Sequence, residues 1–185
     1  MATQWLGAEF VLPCEFASQQ PFYASDSRNI KRVVVTGPGQ RWRFRGSLKW
    51  VSRELAAAIL VHRATHGLGK QFDFPVPQLS GTWGPSVRVT GPIGATELKA
   101  TGEGRVGAGR FIRLTNDNKL YMVTELRNQT GKLKIFPELR VAASNATVNM
   151  NPVMPATYDL DAPEGIEWSP NGKVKFTFSV IEVAN

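Results

Sequence analysis

GAGRFIRLTNDNKLYMVTELRNQTGKLKIFPELR, residues 107–140, is the stretch that decides the fold of this chain. Phe111, Ile112 and Leu114 run into Asn116-Asp117-Asn118. Leu120, Met122 and Thr124 then alternate with Tyr121, Val123 and Glu125 before Asn128-Gln129-Thr130-Gly131. Beyond that turn, Leu133 and Ile135 alternate with Lys132 and Lys134. Period-two segments of about 4–8 residues punctuated by Asn, Asp and Gly are the signature of antiparallel hairpins. Pro137 cannot donate to a ladder, so the third strand should stop before it. The pattern describes a small β-barrel edge and not an active site.

Upstream, 80–109 holds eight glycines in thirty residues, with β-prone pieces at 86–90 and 96–100. Together with the three strands that follow, this predicts an inserted module of five short strands over 82–140, the scale of an OB-like or SH3-like barrel. The flanks, 1–81 and 141–185, then form one discontinuous domain. Its clearest strand is 41–50. Trp42, Phe44, Gly46, Leu48 and Trp50 occupy one parity, and Arg41, Arg43, Arg45, Ser47 and Lys49 the other, so the aromatic residues point inward and a cationic stripe outward. A β-branched run at 30–36 ends at Gly37-Pro38-Gly39.

Ser52 is placed to cap a helix over 52–66, with Glu54 in its first turn and Gly67 as a left-handed exit. Leu55, Ala58, Ile59 and His62 share one face and should lie on the sheet. Phe72, Phe74 and Val76 make an edge strand, given Pro75 and Pro77. In the closing strand Val174, Phe176, Phe178 and Val180 alternate. The run Val180-Ile181 followed by Val183 shifts the phase and predicts a bulge. The fold class is therefore mainly β with one helix: a β-sandwich-like domain carrying an inserted small β-barrel.

Composition fits a globular chain, with 42% hydrophobic and 20% charged residues. No apolar run approaches the ~18 residues of a spanning helix. MATQWLGAEF lacks a basic region followed by an apolar block, so neither a membrane span nor a signal peptide is expected. The single Cys14 excludes an internal disulfide and multi-cysteine zinc. Net charge is +7, distributed unevenly. Residues 28–53 carry eight Lys or Arg and no acid, whereas 144–185 carry five acids against two lysines. Such asymmetry suits nucleic-acid binding, and equally head-to-tail packing of identical subunits.

No catalytic, cofactor or metal site emerges. Gly102-Glu103-Gly104-Arg105-Val106-Gly107 matches a dinucleotide fingerprint literally, but a β-prone segment and not a helix follows it. His62 and His66 sit four apart, yet Arg63 stands where a zinc protease has its glutamate, and a packed His62 beside a dipole-favoured His66 explains both. Cys14 has no adjacent cation to favour its thiolate. The stripe Arg41, Arg43, Arg45 and Lys49 reads as a solvated strand face, an intersubunit salt-bridge surface or a nonspecific nucleic-acid contact. Asp159, Asp161 and Glu164 form the opposing solvated or interfacial acidic patch.

The order of parts resembles the distal tail proteins of flexible-tailed (siphovirus) bacteriophages, of the compact type with an inserted OB-like domain. The resemblance is carried by the Gly-x-Phe/Ile-x-Leu, Leu-Tyr-x-Val and Ile-x-Pro-x-Leu spacings of 107–140 and by the closing KVKFTFSVIEVA with Glu182 near its end. It implies a structural virion protein without catalytic residues, assembled in the host cytoplasm. It further implies a hexameric ring that joins the tail tube protein to the baseplate hub and leaves a channel for DNA in transit. A cell-surface carbohydrate is the candidate ligand of the inserted module. Within such a ring Arg41, Arg43, Arg45 and Lys49 would meet Asp159, Asp161 and Glu164 of the next subunit. The alternative is a basic OB-fold binder of single-stranded nucleic acid, with Phe111 and Tyr121 as its base-stacking platforms.

Overall fold

The computed structural model describes residues 4–20, 22–26, 32–36, 39–50, 52–67, 69–77, 87–102, 106–125, 131–162 and 164–183. The expected turns at 37–38 and 128–130, the middle of the glycine motif at 103–105 and the Leu55 side chain fall outside these. The chain opens with β1 (Gln4–Trp5) and the long β2 (Ala8–Gln19). A hairpin of β3 (Phe22–Asp26) and β4 (Arg32–Thr36) follows, then β5 (Arg41–Trp50), α1 (Arg53–His66) and β6 (Phe72–Pro75). After an inserted barrel come β13 (Val153–Tyr158), β14 (Gly165–Trp168) and β15 (Val174–Glu182). The large sheet has the order β1-β2-β5-β15-β13-β6, with β14 also pairing β15, and every pair is antiparallel. It curls until its two edges meet: Trp5 of β1 stacks on Phe72 of β6 at 5.8 Å and meets Phe74 edge-on at 5.1 Å.

β5 alternates as its sequence dictates: Trp42, Phe44, Leu48 and Trp50 are buried, and Arg41, Arg45 and Lys49 exposed. β6 is an edge strand, as its prolines require. β15 corrects the expected bulge. Its register against β5 runs without a break from Val174↔Trp50 to Ile181↔Arg43, so the inward parity continues to Glu182, which is 1% exposed. The register shift falls instead on β2, between Val11 and Glu15.

The helix keeps Ile59 and His62 on the expected face, with a slight rotation that turns Ala58 out. Ala56 and Ile59 are buried, whereas Ala58 is exposed along with Leu60 and Val61. The rotation follows from polar anchors, because His62 and Arg63 both engage Tyr158 of β13. The Ser52 carbonyl accepts the first helical hydrogen bond, from Ala56 N–H at 3.2 Å. Gly67 is not the left-handed residue. It stays within the helical pattern, donating to Arg63 O at 2.7 Å, and a Cβ there would lie 2.5 Å from that oxygen. The left-handed turn comes at Gly69, with φ +76°.

The insertion forms a closed barrel of six strands: β7 (Arg88–Gly91), β8 (Glu97–Thr101), β9 (Phe111–Leu114), β10 (Leu120–Val123), β11 (Lys132–Phe136) and β12 (Ala143–Asn149), in the order β10-β11-β8-β7-β12-β9. β11 stops at Pro137 as expected. The barrel's last strand lies beyond the boundary expected at Arg140. β12 carries only Ala143, Ala146 and Val148 inward, and Asn145 (φ +53°) breaks its register, so neither bulk nor period marks it as a strand. Barrel entry and exit are neighbours, because β6 and β13 pair directly and Val76 N–H donates to Pro152 O at 3.3 Å.

Two buried clusters result. One fills the barrel around Ile112, Leu114, Tyr121, Val123 and Leu133. The other fills the curled sheet and reaches into the barrel wall through Phe111 and Leu120. Rings link the two modules: Phe74 to Phe44 at 4.9 Å, Phe44 to Phe16 at 4.9 Å, Phe16 to Phe111 at 4.5 Å and Phe111 to Trp42 at 5.0 Å. These spacings lie in the range where aromatic pairs attract beyond their buried area.

Candidate functional site

The densest polar chemistry lies where barrel meets sheet. β9 and β10 are apolar on both faces: Ile112, Leu114, Tyr121 and Val123 face the barrel core, while Phe111, Leu120 and Met122 pack under the sheet. Into this junction the last inward residue of β15 delivers a carboxylate. Glu182 Oε2 accepts from Trp42 N–H at 3.1 Å and from the Lys119 ammonium, and its Oε1 accepts from Leu120 N–H at 2.7 Å. Lys119 also donates to Gln40 O at 2.5 Å, and Trp42 Nε1–H to Leu120 O at 2.8 Å. The Lys119 and Glu182 side chains are 4% and 0% exposed, so this ion pair is fully desolvated. Burial pulls the Lys119 pKa down, and Glu182 works against that. A buried charge pair persists only when further hydrogen bonds compensate its desolvation, and here Glu182 holds three donors and the Lys119 ammonium two acceptors.

A second layer holds the β9–β10 turn. Asp117 Oδ1 accepts from Lys119 N–H at 3.1 Å and from the Arg140 guanidinium at 2.5 Å, and Oδ2 accepts from Tyr121 O–H at 2.5 Å. The Tyr121 oxygen in turn accepts from Arg140 N–H at 3.1 Å. Burial would raise the Asp117 pKa, but these donors hold it below the usual carboxylate value. Burial, together with the bond to Asp117, raises that of Tyr121. Sequence reading took Asn116-Asp117-Asn118 for an ordinary turn and missed this network. The available signal was Glu182 itself, an acid at the inward parity of Val174, Phe176, Phe178 and Val180.

The predicted charge surface is partly consumed within the chain. Arg43 Nε–H donates to Asp159 Oδ2 at 2.6 Å, its terminal amine bonds the same oxygen, and Ser179 O–H donates there at 3.1 Å. Asp159 is 3% exposed, so it is no solvated patch residue. Glu164 pairs with Arg63. Arg41, Arg45, Lys49 and Asp161 remain exposed. The register places Glu15 opposite Arg45 and Glu9 opposite Lys49, while Arg41 faces Gln19.

His62 lies among Trp5, Phe72 and Tyr158, as a packed histidine should. Cys14 Sγ contacts Val11 O at 3.4 Å, and burial raises its pKa, away from nucleophilic thiolate. The glycine motif is followed by β9. Among the described residues no three His, Cys, Asp or Glu side chains gather as a metal site, and no helix is long and apolar enough to cross a membrane. Phe111 and Tyr121, the proposed stacking platforms, are 7% and 0% exposed. Neither can stack on a base. Compared with known proteins, the chain matches no protein-family model and no curated protein.

Proposed function

We propose that the chain is a structural subunit of the ring at the distal end of a flexible phage tail, connecting tail tube to baseplate hub around a channel for DNA. The observation that carries this reading is the insertion geometry. A closed barrel leaves and re-enters between two paired strands at one edge of a curled sheet, and the Lys119–Glu182 junction fixes it there. A subunit built this way presents two modules in one fixed orientation, which a closed ring requires of every copy. The sequence resemblance of 107–140 and of the closing strand points the same way. The buried chemistry serves packing and not turnover, because each charged partner at the junction is spent on another protein group. A single-strand binder is disfavoured by the burial of Phe111 and Tyr121.

The test is light scattering of the purified protein at low and high salt across a concentration series, with negative-stain imaging and a parallel run containing single-stranded oligonucleotide. Annular particles of about six subunits that ignore the oligonucleotide are expected. A monomer at every concentration, or one that changes mass only with oligonucleotide at low salt, would overturn the reading.

A further inference from the structure

The last turn of α1 sets two imidazoles side by side. His62 and His66 are one helical turn apart, and their ring centres lie 4.4 Å apart with 31° between planes. Each ring is anchored through its Nδ1. His66 Nδ1–H donates to His62 O at 3.1 Å, which caps one of the helix's last carbonyls and leaves the lone pair on Nε2. His62 Nδ1 shares a 2.9 Å hydrogen bond with the Tyr158 hydroxyl, and when Nδ1–H donates, its Nε2 is likewise a free base. Among the described residues neither Nε2 has a hydrogen-bond partner, and both rings are only partly buried.

We infer that Nε2 of His62 and Nε2 of His66 form a two-imidazole site for a divalent transition cation of the copper, nickel and zinc group, with water completing the coordination. Imidazole is the ligand these borderline ions prefer, and a metal-bound histidine ordinarily donates its other N–H to a carbonyl or similar acceptor, as His66 does here. Two nitrogens held about 2.0–2.1 Å from one ion at near a right angle leave their ring centres about 4.5–5 Å apart, close to the observed spacing. Aligning the rings asks for χ2 rotation, a soft coordinate for histidine. The helix C-terminus adds a favourable negative potential. The adjacent cation in the chain, Arg63, lies 4.4 Å from the Tyr158 ring centre and is paired with Glu164.

The test uses the untagged full chain with copper, nickel or zinc chloride as the probe at neutral pH. Calorimetry should show one equivalent bound at roughly micromolar affinity, with copper tightest of the three. The copper electron paramagnetic resonance spectrum should carry the hyperfine pattern of two nitrogen donors. His66→Gln, which removes one imidazole at a half-buried position, should weaken binding about tenfold or more while circular dichroism stays native. His62→Gln should do the same, and if it unfolds the chain, the His66→Gln comparison alone decides. Unchanged affinity in His66→Gln, or no saturable binding up to millimolar cation, would overturn the assignment.

Discussion

At the scale of single residues, the junction predicts an asymmetry between the two members of its ion pair. Removing the carboxylate with Glu182→Ala strands the Lys119 ammonium with only the Gln40 carbonyl, and leaves Trp42 and Leu120 N–H without their acceptor. Breaking a buried pair this way costs about 3–5 kcal/mol. Lys119→Met removes a cation that was expensive to bury, and Glu182 keeps two backbone donors, so the cost should be clearly smaller. Urea unfolding of the two variants checks the order, and equal or reversed costs would remove Glu182 from the centre of the junction. Glu182 also shows how much of this site was legible in the sequence. The β15 alternation alone puts it inside, but Ile181 and Val183 disguise that parity as a phase shift. Lys119 and Asp117 are not legible at all, because a turn sequence says neither that a buried carboxylate waits on a strand 63 residues away nor that the Tyr121 hydroxyl, four residues on, turns back to Asp117.

Elements obey the same division between local pattern and tertiary partner. β5, β6 and β11 were readable because alternation, tryptophan bulk and proline act within the strand itself. β12 was not, since its inward residues are two alanines and a valine split by a bulge, and only the closure of the barrel makes it a strand. The face of α1 holds Ile59 and His62 as expected but exchanges Ala58 for Ala56, because its seat is polar and aromatic. That seat makes stability depend on pH. The His62 pKa drops from an ordinary 6.5 in the unfolded chain to about 4 in the fold, through burial and the nearby His66. Between those values the unfolded chain binds the proton and the folded chain does not, so stability falls as pH falls from about 6.5 towards 4 and levels off below. Asp117 has the same sign in a lower window, since its lowered pKa supports the fold until acid titrates it below the ordinary value of 3.8. Melting temperatures recorded from pH 7 to 4.5 should therefore decline less in His62→Phe than in the parent chain. Parallel curves would mean that His62 is not the group responsible.

For the whole molecule, the internal use of charge changes what can close a ring. Sequence asymmetry suggested a basic face on one subunit and an acidic face on the next, but Arg43 with Asp159 and Arg63 with Glu164 are already joined within one chain. Along β5, Lys49 and Arg45 face Glu9 and Glu15 across the strand pair, whereas Arg41 stands opposite Gln19, and Arg43, opposite Ala17, is spent on Asp159. In the proposed ring Arg41 is then an exposed cation whose charge can act between subunits, and Asp161 the exposed acid of the opposing patch. Arg41→Glu should weaken self-association about tenfold at low salt, equivalent to ~1.4 kcal/mol per interface, and the deficit should shrink as salt screens exposed charges. Arg43→Glu should behave differently. It sets an acid against the buried Asp159, so it should lower the unfolding midpoint of the monomer before any effect on assembly can be read. Sedimentation of both variants beside the parent separates the two roles. If Arg41→Glu assembles like the parent at every salt concentration, charge on the β5 face does not hold the subunits together, and ring closure must rest on apolar surface such as the exposed Leu60 and Val61 of α1.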